Sequence, residues 1–197
     1  MKKNFLVGYF FILTSFSVEN SSKIFKTTYF DKIEIIGKYE DNLPDYVVDL
    51  KCKMDGQLIY TAGPNEEFEF QNRIWEAAKE IGENSFQLLL ELNDRPDKNK
   101  IILLTVKDKK LVDKKIIPTF DTCIYRPDKT KEFSGQLEYP EAMDNIHQTQ
   151  YIPTLFYVDK PTGIVLDSAK TMVFNKSKWG KFYGFKPNFK LILPKKN

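Results

Sequence analysis

The stretch V-D-L-K-C-K-M-D-G-Q-L-I-Y-T, from Val48 to Thr61, predicts a β-hairpin. Its first half alternates polar residues with apolar ones, the two-residue period of a strand with one buried face. Asp55-Gly56 follows, and this pair is typical of a two-residue turn with positive φ at both central positions. The hairpin therefore indicates a sheet that packs one face on a core.

Strand-like patterns recur along the rest of the chain. They combine β-branched or aromatic residues with breaks at Pro, Gly, Asn and Asp. The run I-I-L-L-T-V, from Ile101 to Val106, is apolar on both faces, as in a central strand. The segments that we interpret as strands are 32–38, 48–54, 57–61, 86–92, 101–106, 111–117, 122–125, 152–158, 164–166, 172–174 and 189–193.

One segment, from about 65 to 81, has the period of an amphipathic helix. Asn65 is a capping residue, and Gly82 follows as a stop signal. Apolar side chains recur on one face, at Phe70, Ile74, Ala77, Ala78 and Ile81. A further one or two helical turns are expected from Pro140 to Ile146. The predicted fold class is α+β, with mostly antiparallel sheet and one principal amphipathic helix.

The order of these elements suggests two diverged units that each contain a hairpin. We expect an N-terminal α+β unit over residues 18–118 and a C-terminal, mainly β unit over residues 119–197 with a basic aromatic tail. A single continuous domain is the alternative.

The first residues have the pattern of a signal peptide. Lys2-Lys3 precedes an apolar run from Phe5 to Phe16, and small Ser15 and Ser17 stand at the spacing that a signal peptidase reads. We therefore predict a signal peptide over residues 1–17 and a periplasmic or secreted protein; an uncleaved membrane anchor is the alternative. In an exported chain, Cys52 and Cys123 form either one disulfide or two buried thiols, and the sequence leaves both open.

Charge is unevenly distributed along the chain. The formal net charge is +3, but residues 168–197 hold eight Lys and no acidic residue. This tail interleaves lysines with aromatic residues, which suits weak contact with an anionic surface. A nucleic-acid partner is not expected for an exported protein.

Few residues suggest catalysis. The single histidine, His147, lies in a polar stretch and has no nucleophile in a recognisable motif nearby. The two cysteines are far apart in sequence, and no glycine-rich phosphate loop occurs, so no metal site or cofactor is predicted. We expect a non-enzymatic protein; a secreted hydrolase with a carboxylate site that the sequence does not reveal, or a structural envelope protein, is the alternative.

The C-terminal half carries one family resemblance. Gln136-x-x-Tyr139-Pro140, then I-P-T-L-F-Y-V-D from Ile152 to Asp159, and later W-G-K-F-Y-G from Trp179, resemble the C-terminal domain of TonB-type energy transducers. The hairpin from Val47 with the segment to Ile81 resembles the same family more faintly.

The resemblance implies a function in protein binding. A peptide of an envelope protein would add as a strand to an exposed sheet edge, where main-chain hydrogen bonds give affinity. Gln136, Tyr139 and Pro140 would lie beside that peptide. The strand from Phe189 to Leu193 would be the edge, with Phe189, Lys190 and Ile192 in contact.

Overall fold

The computed structural model describes residues 23–40, 43–71, 73–141 and 148–194. Strands dominate these ranges, and one helix occurs in them. The elements are β1 (Ile24–Tyr29), β2 (Ile33–Glu40), β3 (Leu43–Met54), β4 (Gln57–Thr61), β5 (Glu67–Glu69), β6 (Ala78–Gly82), β7 (Ser85–Asn93), β8 (Lys100–Lys107), β9 (Lys110–Pro118), β10 (Thr122–Tyr125), β11 (Lys131–Gly135), β12 (Gln148–Tyr151), β13 (Leu155–Lys160), β14 (Gly163–Leu166), α1 (Ser168–Trp179) and β15 (Asn188–Pro194).

A nine-stranded antiparallel sheet occupies the first part of the chain. Its order is β1-β2-β3-β5-β7-β8-β9, while β4 pairs with β3 and β6 pairs with β7. The long β3 strand pairs with β4 near its end, through Cys52 and Tyr60, and with β5 nearer its start, through Val47 and Phe68. Side chains from β2, β3, β4, β5, β7 and β8 meet in one cluster, so the sheet curls around them. We call this cluster the first core.

The opposite face of β7 and β8 packs on a second, four-stranded sheet, in the order β10-β11-β13-β14. Leu89 and Ile101 of the large sheet contact the same cluster as Phe133, Leu155 and Tyr157 of the small one. We call this cluster the second core. Gln87 links the two sheets as well, because its buried Oε1 accepts a 2.6 Å hydrogen bond from the backbone N–H of Ile164 in β14. The strands β7 and β8 are therefore covered on both faces.

The helix α1 covers one edge of β13. Its buried residues are polar: Thr171 Oγ1 accepts from Phe156 N–H at 3.0 Å. Asn175 accepts from Thr154 N–H at 3.0 Å and donates to Thr154 C=O at 2.7 Å. These side chains bind main-chain groups that β14 does not reach, so they take the place of a neighbouring strand.

The structure confirms the coarse fold prediction, a mostly antiparallel sheet protein with one helix. The hairpin is also confirmed: β3 and β4 pair, and Asp55 and Gly56 have φ of 47° and 78°. Every other predicted strand except 172–174 overlaps an observed strand. The expected turns at 140–146 and His147 fall largely or wholly outside the described residues.

The predicted helix over 65–81 is wrong. Residues 67–69 and 78–82 are the strands β5 and β6. The helical face is not the buried one either, since Ile74 is exposed while Phe68 and Trp75 are buried. Pairing of β5 with β3 and β7 satisfies the backbone in a way that outweighs the local helical period.

The predicted strand at 172–174 is also wrong, because these residues lie inside α1. Asp167 caps this helix by accepting a hydrogen bond from Lys170 N–H, and Gly180 ends it with φ of 80°. Met172, Val173 and Phe174 are exposed, and Thr171 and Asn175 are buried. The buried face is polar, so hydrophobic periodicity indicates the wrong structure there.

The cysteines are free thiols: Cys52 lies in the first core, and Cys123 packs against the second. No disulfide joins them.

The large sheet ends at Pro118, next to the boundary predicted between two units, yet the second core takes side chains from both sides of that boundary. The predicted signal peptide lies outside the described residues. Within the described ranges, no helix is long and apolar enough to cross a membrane.

Candidate ligand-binding cleft

A cleft opens beside the ends of β5, β7 and β9. Two adjoining cavities of about 360 and about 340 Å³ share Glu91, Arg95 and Thr119 in their walls. We call the combined space the Glu91 cleft. Its other acidic residues are Asp45, Glu69, Asp97 and Asp121, and its other cation is Lys98. Carboxylates therefore outnumber cations in its lining.

The pairing of β5 with β7 places two of these carboxylates side by side. Glu69 and Glu91 are direct partners in the antiparallel register. Residues opposite one another in such a pair have Cβ atoms about 4.5–5.5 Å apart and point to the same face. Both side chains consequently face the cleft from neighbouring strands.

Glu91 is buried, with 8% of its surface exposed. Its Oε1 accepts hydrogen bonds from Thr119 Oγ1 at 3.0 Å and from Asn99 Nδ2 at 3.3 Å. Burial raises the pKa of the Glu91 carboxyl, and these two hydrogen bonds oppose that shift only in part. Within the described residues, no cation forms an ion pair with Glu91.

The cations of the cleft are already paired with other acids. Arg95 Nη2 lies 3.4 Å from Glu69 Oε1. Lys98 Nζ lies 2.6 Å from Asp121 Oδ2, and its side chain is only 9% exposed. Glu91 is thus a buried acid of the cleft that forms no ion pair within the described chain, although the positive charge of Arg73 opposes part of the rise in its pKa, and such a group is a candidate for a functional role.

Aromatic rings form much of the remaining wall. Trp75 meets Phe120 edge-on at 5.4 Å between ring centroids, and both are buried in the second core. Tyr46 lies under the Arg95 guanidinium, and Tyr139 lies over the Lys98 ammonium at 5.5 Å. The buried indole N–H of Trp75 has no hydrogen-bond partner within the described chain. The cleft thus has a mainly polar lining with a few aromatic rings in its walls.

Close packing holds Thr119 at the cleft. A Cβ on Gly135, the last residue of β11, would lie 2.0 Å from the carbonyl oxygen of Thr119. Any side chain at this position would displace the backbone of Thr119. The small sheet thereby positions one wall of the cleft.

The structure places one predicted site residue in this cleft, namely Tyr139, which is 59% exposed. Gln136 is not among the residues that line the cleft; it donates from Nε2 to Ile152 C=O at 3.4 Å and to Thr154 Oγ1 at 3.3 Å. Pro140 is exposed. Tyr139 thus faces Lys98, and the expected contact of these three residues with a peptide stays a prediction.

The predicted edge residues Phe189, Lys190 and Ile192 are exposed on β15. This strand pairs with β12 in a separate two-stranded sheet. The register jumps from Tyr151↔Asn188 to Gln150↔Ile192, so residues 189–191 form a bulge. A bulge interrupts the ladder that an added strand needs, which leaves 192–194 as the regular part of this edge. None of the described residues that line the cleft comes from β15.

Comparisons with protein-family models, with curated proteins and with solved structures found no match to this chain. Among the described residues, no group of three or more His, Cys, Asp or Glu side chains is arranged to hold a metal ion.

Sequence reasoning missed Glu69, Glu91, Arg95 and Thr119. The sequence of the neighbouring strand β8 indicates indirectly that Glu91 is buried. Glu91 shares its face of β7 with Leu89, and the run from Ile101 to Val106 predicts a strand covered on both faces. An acid beside such a strand is expected to be buried, and a buried acid needs a partner. Its partners could not be found, because they come from loops that the fold brings together.

Proposed function

We propose that this protein is an exported, non-enzymatic interaction module that takes a basic side chain of its partner into the Glu91 cleft. The observation that carries the proposal is the burial of Glu91 without an ion pair to any cation of the described chain. A Lys ammonium or Arg guanidinium would supply the missing charge and donate hydrogen bonds to the carboxylate. Glu69 and Asp45 would add to the acidic field at the mouth.

Two sequence features support the class of function. The signal-peptide pattern over residues 1–17 supports export, and the resemblance to TonB-type C-terminal domains supports binding of an envelope protein or peptide. Intact-mass analysis of the exported protein tests the first feature, with an N-terminus near Val18 expected. Retention of Met1 in the envelope fraction would contradict it.

Titration with short peptides tests the cleft. Acetyl-Gly-Lys-Gly-amide should shift the NMR signals of the Asn99 side-chain amide, since Asn99 donates to Glu91. The same peptide with norleucine in place of lysine should not, because it lacks the charge. Glu91→Gln should abolish the response to the lysine peptide.

Asp97→Asn is the matched control, since it removes the same charge from an exposed residue of the same cleft. It should reduce the response less than Glu91→Gln does. Equal responses to the lysine and norleucine peptides, or an undiminished response of Glu91→Gln, would contradict the proposal.

Strand addition along β15 is the additional contact that the family resemblance implies. If a partner peptide pairs with this edge, Ile192→Pro removes a donor N–H and should abolish that contact. Lys190→Ala should leave most of it, because an exposed charge contributes under about 1 kcal/mol. Unchanged partner binding by Ile192→Pro would exclude this edge.

A hydrolase is the second candidate, and the register of Glu69 and Glu91 favours it. Retaining glycosidases use two carboxyl groups about 5–5.5 Å apart, one of them with a raised pKa. Burial raises the pKa of Glu91, while Glu69 is paired with Arg95. Hydrolysis of nitrophenyl glycosides that is lost in both Glu69→Gln and Glu91→Gln would support this candidate and overturn the non-enzymatic one.

A further inference from the structure

A second surface, away from the cleft lining, is organised around Tyr151 of β12. This side chain is fully buried, and its hydroxyl donates to Gly184 C=O at 2.7 Å. Its ring meets those of Trp179 and Tyr183 at 5.5 and 5.2 Å between centroids. Its backbone pairs with Asn188 of β15. One residue therefore ties together the end of α1, the following loop and the last strand. We call the surface formed by residues 178–192 the Tyr151 face.

All charged side chains of the Tyr151 face are positive. Lysines at four of its positions are exposed, and within the described residues none of them forms an ion pair; they are Lys178, Lys181, Lys186 and Lys190. Two of them lie against the aromatic rings, Lys178 over Trp179 at 5.0 Å and Lys181 over Tyr183 at 5.8 Å. The segment 168–197 has no acidic residue at all. Its eight lysines exceed the net charge of +3 for the whole chain, so the remainder of the chain is acidic.

Large apolar side chains project from the same face. Phe189 is 54% and Ile192 is 42% exposed, both on β15, and Phe189 lies within the bulge at 189–191. Exposed apolar side chains beside unpaired lysines are the composition of surfaces that lie on a bilayer, where apolar groups enter the headgroup boundary and ammonium groups remain at the phosphates.

We propose that the Tyr151 face binds the surface of an anionic phospholipid bilayer. The lysines contact lipid phosphates, and Phe189 and Ile192 enter the boundary between headgroups and acyl chains. The acidic remainder of the chain is repelled by the same surface, which orients the protein with this face toward the lipid. A soluble polyanion would use the lysines but would leave the two apolar side chains in water, and this distinguishes the bilayer as the partner. The inference concerns a different surface from the Glu91 cleft and does not depend on it, although it shares β15 with the strand-addition contact.

Vesicle co-sedimentation tests the role of charge. The full chain should bind vesicles that contain phosphatidylglycerol, and should bind vesicles of phosphatidylcholine alone far more weakly. The triple variant Lys181→Gln, Lys186→Gln, Lys190→Gln should lose about 100-fold in affinity, since each lysine at an anionic surface contributes about fivefold. The matched control replaces Lys51, Lys107 and Lys110 by Gln; these are exposed lysines outside the face, and the control should bind like the wild type. Equal binding to the two kinds of vesicle, or equal loss in the two triple variants, would overturn the proposal.

A second variant tests the bilayer itself. Phe189→Ser combined with Ile192→Ser should weaken vesicle binding and leave binding to soluble polyphosphate unchanged. Leu58→Ser with Ile124→Ser is the control, since both side chains are similarly exposed on other strands. Unchanged vesicle binding by the Phe189/Ile192 variant would overturn the bilayer as partner in favour of a soluble polyanion. Circular dichroism of every variant checks that the fold is kept, and Glu91→Gln should bind vesicles like the wild type.

Discussion

The Glu91 carboxyl is buried in the folded chain, so its ionisation there costs free energy that the unfolded chain does not pay. A pKa raised by folding means that the folded state holds its proton to higher pH. Below the ordinary carboxyl pKa of about 4.3, Glu91 is protonated in both the folded and the unfolded chain, and its burial costs no ionisation. As pH rises through the raised pKa of the folded state, the buried carboxyl ionises and the folded state loses stability. Glu91→Gln removes this loss, and we expect its melting temperature to exceed that of the wild type at neutral pH but not in acid.

Thermal unfolding across this pH range measures the effect. Glu80→Gln is the control, because Glu80 is exposed on β6 and exposed substitutions change the unfolding free energy by at most about 0.5 kcal/mol. A difference in melting temperature between Glu91→Gln and the wild type that stays the same at all pH values would contradict the argument from burial. Higher stability at neutral pH together with lost lysine-peptide binding would mean that the site is retained for function.

Gly56 tests the hairpin at the level of one residue. Its φ of 78° lies in the left-handed region, and a Cβ there would meet no atom within 4 Å. Any cost of a side chain is therefore a backbone cost. We expect Gly56→Val to lower the unfolding free energy by about 1–2 kcal/mol, measured by urea denaturation. Gln57→Val, at the adjacent exposed strand position, should have little effect, and equal effects of the two variants would place the strain elsewhere.

The edge of β13 depends on side chains of α1. Asn175 is fully buried and satisfies both the N–H and the C=O of Thr154. Asn175→Ala leaves these partly buried main-chain groups without their partner, so we expect a loss of about 1–3 kcal/mol in unfolding free energy. Lys176→Ala, on the exposed side of the same helix, is the control. Equal, small effects would show that α1 does not protect this edge.

The elements predicted correctly are those whose pattern agrees with their burial. The hairpin at Asp55-Gly56 and the central strand from Ile101 to Val106 depend on local turn geometry and on apolar faces, and both are visible in the sequence. The two errors concern segments in which tertiary contacts decide. Residues 65–81 have a helical period but pair as strands, and α1 buries Thr171 and Asn175 instead of apolar residues. Asp167 and Gly180 cap α1 in the structure, and the sequence analysis did not use them.

The cleft was less predictable than the fold. Tyr139 was singled out by the family resemblance as a contact of a partner peptide; it lines the cleft, and that contact stays a prediction. Glu91 and Glu69 face each other only because β5 pairs with β7, and β5 was expected to be part of a helix. A site assembled from a mispredicted segment cannot be found from local patterns.

The two sheets share the second core across the boundary predicted near residue 118. Trp75 and Leu89 come from one side of this boundary, and Phe133 and Tyr157 come from the other. Separation of the two parts would expose these side chains to water, at about 25 cal/mol per Å² of apolar surface. Cooperative unfolding of the whole chain follows from this arrangement.

We therefore expect one unfolding transition for the entire molecule. The chain has two tryptophans, so Trp179→Phe leaves Trp75 as the fluorescent probe of the second core, while far-UV circular dichroism reports mainly on the large sheet. The two urea transitions should coincide. Phe133→Ala, which removes a buried ring stacked on Phe120 at 4.6 Å, should shift both by the same amount, corresponding to about 3–5 kcal/mol. Ile124→Ala, exposed on β10, should shift neither. Two separate transitions, or a shift of the fluorescence transition alone, would mean that the large sheet is stable without the small one and that the chain consists of two domains.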